Sequence, residues 1–322
     1  MIIPTRFSVK NFHGISPEMH TVFQRQNMLI LDNLFSDEAC DFLIAEGKKL
    51  AEENHNALMD TGRSPAHGNI RDLSYFSHCT ESKSIENCGN FYSHIALKTQ
   101  KNPLTIDDCV HIGHGLHKKS EAFKEFLLQE KISQIRQSLM GKMGKILYSQ
   151  FNLHQTGQPA QLQSQQEACY IHPSEQANDS LVFWIALSDQ DINTACPWVI
   201  PGLNPGLNIR DISGGISGDV SGRISGRGLS QMRKDNAKVY YQLDINADTD
   251  QKILERLSDR DFSENKRFPI ELPAGSMLVM SSHLPYMEGN NRSKSASYSL
   301  KFCASTINVS ETSWVKQAMY DQ

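Results

Sequence analysis

The sequence predicts a mainly β domain with flanking helices, and three observations predict it. Helix-period apolar spacing is concentrated in the first 141 residues, with one further stretch near 250–257. Short apolar runs of strand length dominate from residue 146 onward. The composition, 39% hydrophobic and 21% charged over 322 residues, is that of a globular chain able to bury a core without staples. Helices first and strands later place a helical layer against a β core. Residues 1–322 are read as one domain.

The elements follow in order. A helix in the first forty residues feeds a strand at 28–31, bounded by Asn27 and by Asp32 and Asn33. Ser36 caps a helix starting at Asp37 and Glu38, with Ala39, Leu43 and Leu50 as its apolar stripe and Phe42 beside them. Residues 52–105 are polar and read as a loop-rich insert. Ser120 opens another helical region. Phe123, Phe126 and Leu127 share one face, Ile132, Ile135 and Leu139 a second, and Gly141 ends it. Strands are expected at 146–153, 181–187, 199–200, 239–243, 277–280 and 298–302. Between 212 and 226 an Ile/Val-Ser-Gly unit repeats every four residues, and 206–233 reads as a flexible loop beside the core.

Several function classes are disfavoured. A net charge of −4 gives no basic field for nucleic acid or for an acidic membrane surface. No apolar run approaches the roughly 20 residues of a membrane helix, and no secretory leader is read, so a cytoplasmic protein is expected. Seven widely spaced cysteines without a CxxC suggest reduced, buried thiols rather than a disulfide framework or a zinc knuckle.

Three stretches carry a family resemblance. One is Ile112-Gly113-His114-Gly115-Leu116-His117, followed by the Phe123/Phe126 helix. The second runs through Phe183-Trp184-Ile185-Ala186-Leu187 to Cys196-Pro197-Trp198-Val199-Ile200-Pro201-Gly202. The third is Pro273-Ala274-Gly275-Ser276-Met277-Leu278-Val279, then Asn291-Arg292-Ser293. Together they resemble the phytanoyl-CoA hydroxylase (phytanoyl-CoA dioxygenase) family of Fe(II)/2-oxoglutarate oxygenases. The resemblance implies a double-stranded β-helix, a jelly-roll or cupin-like core with a ligand-sized mouth. It also implies a metal held by an H-x-D pair and a later histidine, with an arginine for the far carboxylate of 2-oxoglutarate.

At these positions the chain departs from the family. The H-x-D pair falls on Gln166 and Ala168, the later histidine on Tyr286, and the arginine on Ser297. Ala168 has no donor atom, an amide is a poor iron ligand, and a phenol ionises only near pH 10. The expectation is therefore a chain without cofactors. Its pocket residues would be Gln166, Tyr286, His283 and Glu288 as catalytic candidates, with Ala168, His172, Trp184 and Ser297 around them. His172 and His283 are the rescue candidates for a shifted metal, with Glu167 beside them. His172 lies six residues from Gln166, roughly 20 Å in extended chain, and His283 has the opposite strand parity to Tyr286.

His111, His114 and His117, at three-residue spacing, would line one side of a helix. Gly113 and Gly115 argue against that helix, and the stretch is read as structural. The partner expected is a small organic or lipid-like molecule. Three readings remain open. One is a metal-independent, non-oxidative enzyme. Another is a non-catalytic binding protein. The third is an Fe(II)/2-oxoglutarate enzyme with relocated ligands.

Overall fold

The computed structural model describes residues 4–60, 91–95, 109–118, 120–154, 180–199, 229–235, 238–243, 268–282, 284, 286–289 and 291–306. Among the described residues the α-helices are α1 (Pro17–Gln26), α2 (Asp37–Asp60), α3 (Glu121–Leu127) and α4 (Glu130–Met140). Early strands are β1 (Arg6–Ser8), β2 (Met28–Asp32), β3 (Phe91–Ile95) and β4 (Cys109–His114). Then come β5 (Lys145–His154), β6 (Ser180–Ala186), β7 (Pro197–Val199), β8 (Leu229–Asp235) and β9 (Lys238–Leu243). Last are β10 (Phe268–Pro269), β11 (Met277–Ser281), β12 (Tyr286–Glu288) and β13 (Ser297–Ser305).

Local chemistry sets the helix ends. Ser16 Oγ accepts from the Met19 N–H at 3.2 Å, Pro17 opens α1, and left-handed Asn27 closes it. Ser36 Oγ accepts from the Ala39 N–H at 3.3 Å, as its sequence position predicts. Gly141, at φ 72°, closes α4.

An eight-stranded sheet runs β1-β2-β11-β6-β13-β5-β4-β3, and a three-stranded sheet runs β10-β7-β12. Period-two alternation gives the large sheet two different faces. Leu181, Phe183, Ile185, Leu300 and Phe302 point to the helices, where Phe183 and Phe302 stack at 4.4 Å. Each such ring contributes about 1.5–3 kcal/mol on burial. Phe151 lies on Gly47 of α2, where a Cβ would collide with its ring, so this glycine sets the helix-to-sheet approach. The other face turns to the small sheet. There Met28, Ile30, Val182, Trp184, Leu278 and Met280 meet Val199, Ile270, Leu284 and Tyr286. The two sheets enclose the barrel interior.

Two expectations are corrected. Residues 52–105 are not loop alone: α2 continues to Asp60, and β3 pairs with β4. The stretch 206–233 is not loop to its end, because β8 begins at Leu229 and pairs with β9; residues 206–228 lie outside the described residues. Cys109–His114 is a strand, in agreement with the reading that Gly113 and Gly115 oppose a helix there. The helix expected near 250–257 lies outside the described residues.

Cys40, Cys196 and Cys303 are buried thiols. Burial pushes the Cys40 thiol up to about 11 and the Cys196 thiol up to about 12, which suits inert core thiols. Among the described residues no helix is long and apolar enough to cross a membrane.

Candidate functional site

The inner face of the large sheet changes character across its width. On β2, β11 and β6 it is apolar. On β13 and β5 it turns polar, through Ser297, Ser299 and Lys301 facing His154, Asn152 and Gln150 across the strand pair. Lys301 is also register partner to Trp184, which fixes its side of the sheet. From the small sheet β12 brings Tyr286, opposite Val199, and Glu288, opposite Pro197.

These groups touch. The Lys301 ammonium donates to the Tyr286 hydroxyl at 3.1 Å and lies 5.6 Å from the centre of its ring. Lys301 Nζ is 4.0 Å from Glu288 Oε1, and His154 Nε2 is 3.7 Å from Glu288 Oε2. The Glu288 carboxylate therefore stands between an ammonium and an imidazole. Lys301 is 4% exposed, Glu288 and His154 8% each. Burial lowers the His154 pKa, opposed by Glu288 and reinforced by Lys301, so the ring is neutral near pH 7. Among the described residues its Nε2 has no hydrogen-bond partner.

A second set of bonds fixes the floor. Trp184 Nε1 donates to Gln190 Oε1 at 2.8 Å, and Gln190 Nε2 donates to Ser297 Oγ at 3.4 Å. Gln150 Nε2 donates to Asn152 Oδ1 at 2.6 Å, and Asn152 Nδ2 donates to Ser299 Oγ at 3.2 Å.

Of the residues singled out in the sequence, Tyr286, Glu288, Trp184 and Ser297 come together here. Gln166, Ala168, Glu167, His172 and His283 lie outside the described residues. Sequence reasoning missed His154 and Lys301. The signal was present as alternating polar residues at 150, 152 and 154 and at 297, 299 and 301. His117 is not part of the site: its Nδ1 lies 2.6 Å from Ser149 Oγ, and burial with Lys118 pulls its pKa down to about 4.

The phytanoyl-CoA dioxygenase family model matches residues 23–208, more than half of the chain. The chain belongs to the phytanoyl-CoA dioxygenase family. Among curated relatives it is 22% identical over 189 residues to "Phytanoyl-CoA dioxygenase" of Arabidopsis thaliana, covering 59% of this chain and 65% of that protein. It is 27% identical over 125 residues to "Phytanoyl-CoA dioxygenase 1" of Oryza sativa subsp. japonica, covering 37% of this chain and 43% of that protein. The chain thus spans less than two thirds of either relative. Among solved structures, the non-heme alpha ketoglutarate dependent carbocyclase SnoK from nogalamycin biosynthesis superposes with a TM-score of 0.53 at 13% identity. The match covers 94% of this chain and 87% of SnoK. AviO1 from Streptomyces viridochromogenes Tue57 superposes at 0.50 and 13% identity, covering 89% of this chain and 93% of AviO1. These similarities show the double-stranded β-helix fold.

The expectation that no cofactor belongs to this chain is overturned. Its family is that of the phytanoyl-CoA dioxygenases, and SnoK, of the same fold, is a non-heme alpha ketoglutarate dependent enzyme. The described residues can be tested against that pair. Tyr286, read in the sequence as standing at the family's later histidine, accepts from Lys301. Among the described residues no three His, Cys, Asp or Glu side chains gather. His154 and Glu288 are nonetheless two donors of the right chemistry for a divalent ion, and Lys301 with Tyr286 is the right chemistry for a carboxylate.

Proposed function

We propose that this chain is an enzyme of the iron and 2-oxoglutarate class that acts on a small organic molecule inside the barrel. Lys301 and Tyr286 would receive the far carboxylate of 2-oxoglutarate, in place of the arginine that Ser297 replaces. The observation that supports this is the buried Lys301 ammonium, on the same inner face of β13 as Ser297 and in hydrogen-bond contact with Tyr286. Burying an ammonium costs several kcal/mol unless anions or dipoles answer it. A cation kept in such a place suits an anionic ligand.

The chain's own residues divide the work. Lys301 supplies point charge and Tyr286 a phenolic hydrogen bond. Trp184, held in one orientation by Gln190, packs with Met280 and Leu278 in the apolar half of the barrel interior and stiffens it beside the polar groups. The two sheets exclude water. Iron and 2-oxoglutarate, when bound, supply oxidation of a substrate C–H bond.

The test is calorimetric titration of 2-oxoglutarate into the full chain with Mn(II) under anaerobic conditions, paired with succinate formation in air with Fe(II). Binding lost in Lys301→Met supports the proposal. No binding by the wild type, or undiminished binding by Lys301→Met, overturns it.

The 3.1 Å Tyr286–Lys301 contact favours a second reading, a non-oxidative step such as cyclisation, isomerisation, dehydration or hydrolysis. There the phenol and the ammonium would pass a proton to and from the substrate. Product formed without succinate, and lost in Tyr286→Phe, distinguishes it. A ligand that binds and leaves unchanged would make the chain a binding protein.

A further inference from the structure

We propose that His154 and Glu288 are the protein half of a divalent first-row metal site, one that does not use the family's ligand positions; this rests on reading the barrel interior as the active site.

The argument starts from His154. It is the last residue of β5, register partner to Ser297, and its carbonyl accepts from Asn291 Nδ2 at 2.8 Å. Its Nε2 is buried and has no hydrogen-bond partner among the described residues. Leaving such an atom unsatisfied is costly, so a native site that keeps one has something to answer it.

Glu288 provides the second donor. Its Oε2 stands 3.7 Å from that nitrogen, too far for a hydrogen bond. Two donors at this separation can share one ion. With bonds of about 2.1 Å the angle at the ion is about 125°, and a small side-chain rotation brings it to tetrahedral or octahedral values. One imidazole and one carboxylate suit Fe(II), Mn(II) or Zn(II) and leave positions for ligand oxygens and water. Both donors sit on strands, and the chain beyond Glu288 is fixed by the Gly289 N–H donating to the Cys196 carbonyl at 2.9 Å. Gly289 is held without a side chain there, since a Cβ would come 2.7 Å from that carbonyl oxygen.

Charge then links the ion to its neighbour. The Lys301 ammonium and the Glu288 carboxylate, 4.0 Å apart, offset each other. A divalent ion on the Oε2 side gives the pocket a charge of about +2, which matches a dicarboxylate. Metal and dicarboxylate therefore bind cooperatively, each raising the affinity for the other by the same factor.

The experiment adds Mn(II) alone to chelator-stripped full chain and follows loss of the free-ion electron paramagnetic resonance signal. One ion per chain is expected, with nitrogen coupling from an imidazole in the pulsed spectrum. His154→Ala and Glu288→Gln should each weaken binding at least tenfold, and His154→Ala should abolish the coupling. Lys301→Met should tighten binding severalfold, because it removes a nearby like charge. No Mn(II) binding by the wild type overturns the proposal, a bridging water being then the only occupant of this gap. Binding without imidazole coupling, or unchanged in folded His154→Ala and Glu288→Gln, also overturns it. Mn(II) bound through His154 with no 2-oxoglutarate binding upholds the pair and overturns the carboxylate role of Lys301; 2-oxoglutarate binding that needs Lys301 but not His154 does the reverse.

Discussion

Lys301 reaches across the barrel from β13 to the hydroxyl of Tyr286 on β12, 3.1 Å away, and so ties the large sheet to the small one. The contact places a cation beside the position that the sequence reading aligns with the family's later histidine. It also brings Lys301 to Glu288, a residue of the same short strand as Tyr286. The energetics of the site turn on this bridge.

Removing one charge of the Lys301–Glu288 pair leaves the other buried and unanswered. Lys301→Met should destabilise the fold by about 3 kcal/mol, and Glu288→Gln by a similar amount. The double substitution should cost clearly less than either single change, because no lone charge remains. Urea denaturation of the four proteins measures this coupling. Additive losses would mean that the two groups are solvated independently.

Much of the fold was legible in the sequence. The apolar run from Leu181 through Ala186 placed β6, and the serine and glycine signals at Ser36, Ser120 and Gly141 fall at helix ends. β1, β3 and β4 were not read as strands. Their pairing depends on partners far along the chain, as where Arg6 donates twice to the Asp32 carboxylate across the β1–β2 edge. The candidate site was half legible. Tyr286 and Ser297 were singled out through the family register, and Glu288 and Trp184 as neighbours within the same motifs. His154 and Lys301 were not, because a polar residue at every second strand position looks the same whether that face meets water or a second sheet. Only the small sheet over β5 and β13 makes those positions interior.

Gly275 opens the turn into β11 at φ 76°, and a Cβ there would collide with the carbonyl oxygen of Phe35, whose own N–H donates to the Gly275 carbonyl at 2.9 Å. Both the left-handed backbone and the backbone contact oppose a side chain. Gly275→Ala should therefore cost at least about 2 kcal/mol. A melting temperature unchanged within error would show that the loop between β2 and α2 can move away.

Stability should fall in mild acid. The His117 imidazole is held down to about 4 when folded, while an exposed histidine titrates near 6.5. Between these values the unfolded chain binds more protons, so stability is full above pH 6.5 and drops as the pH falls towards 4. The lowered pKa of His154 acts in the same direction. His117 should account for a loss on the order of 2 kcal/mol, partial solvation of the ring reducing it from the full shift. His117→Asn, whose amide can still meet Ser149, should flatten the profile in part. An unaltered profile would place the titration elsewhere.

The last prediction moves a charge. Ser297 and Lys301 share the inner face of β13, four residues and about 13 Å apart along the strand. Relatives would carry the carboxylate-binding cation at 297, and the proposal assigns that task to 301. Lys301→Met should abolish 2-oxoglutarate binding measured with Mn(II). Ser297→Arg in the same chain should restore at least part of it, because the guanidinium offers two parallel donors to a carboxylate. Ser297→Arg in the presence of Lys301 should bind less well than the rescued double variant or destabilise the fold, since two cations would then share one buried strip. The introduced guanidinium would also displace the Gln190 hydrogen bond that now ends on Ser297, so Trp184 fluorescence should change with it. Calorimetry on the wild type, both single variants and the double variant decides the matter. If Lys301→Met binds 2-oxoglutarate as the wild type does, Lys301 is not the carboxylate anchor. If Lys301→Met fails and Ser297→Arg gives no recovery in a folded chain, the family position no longer points into the ligand site.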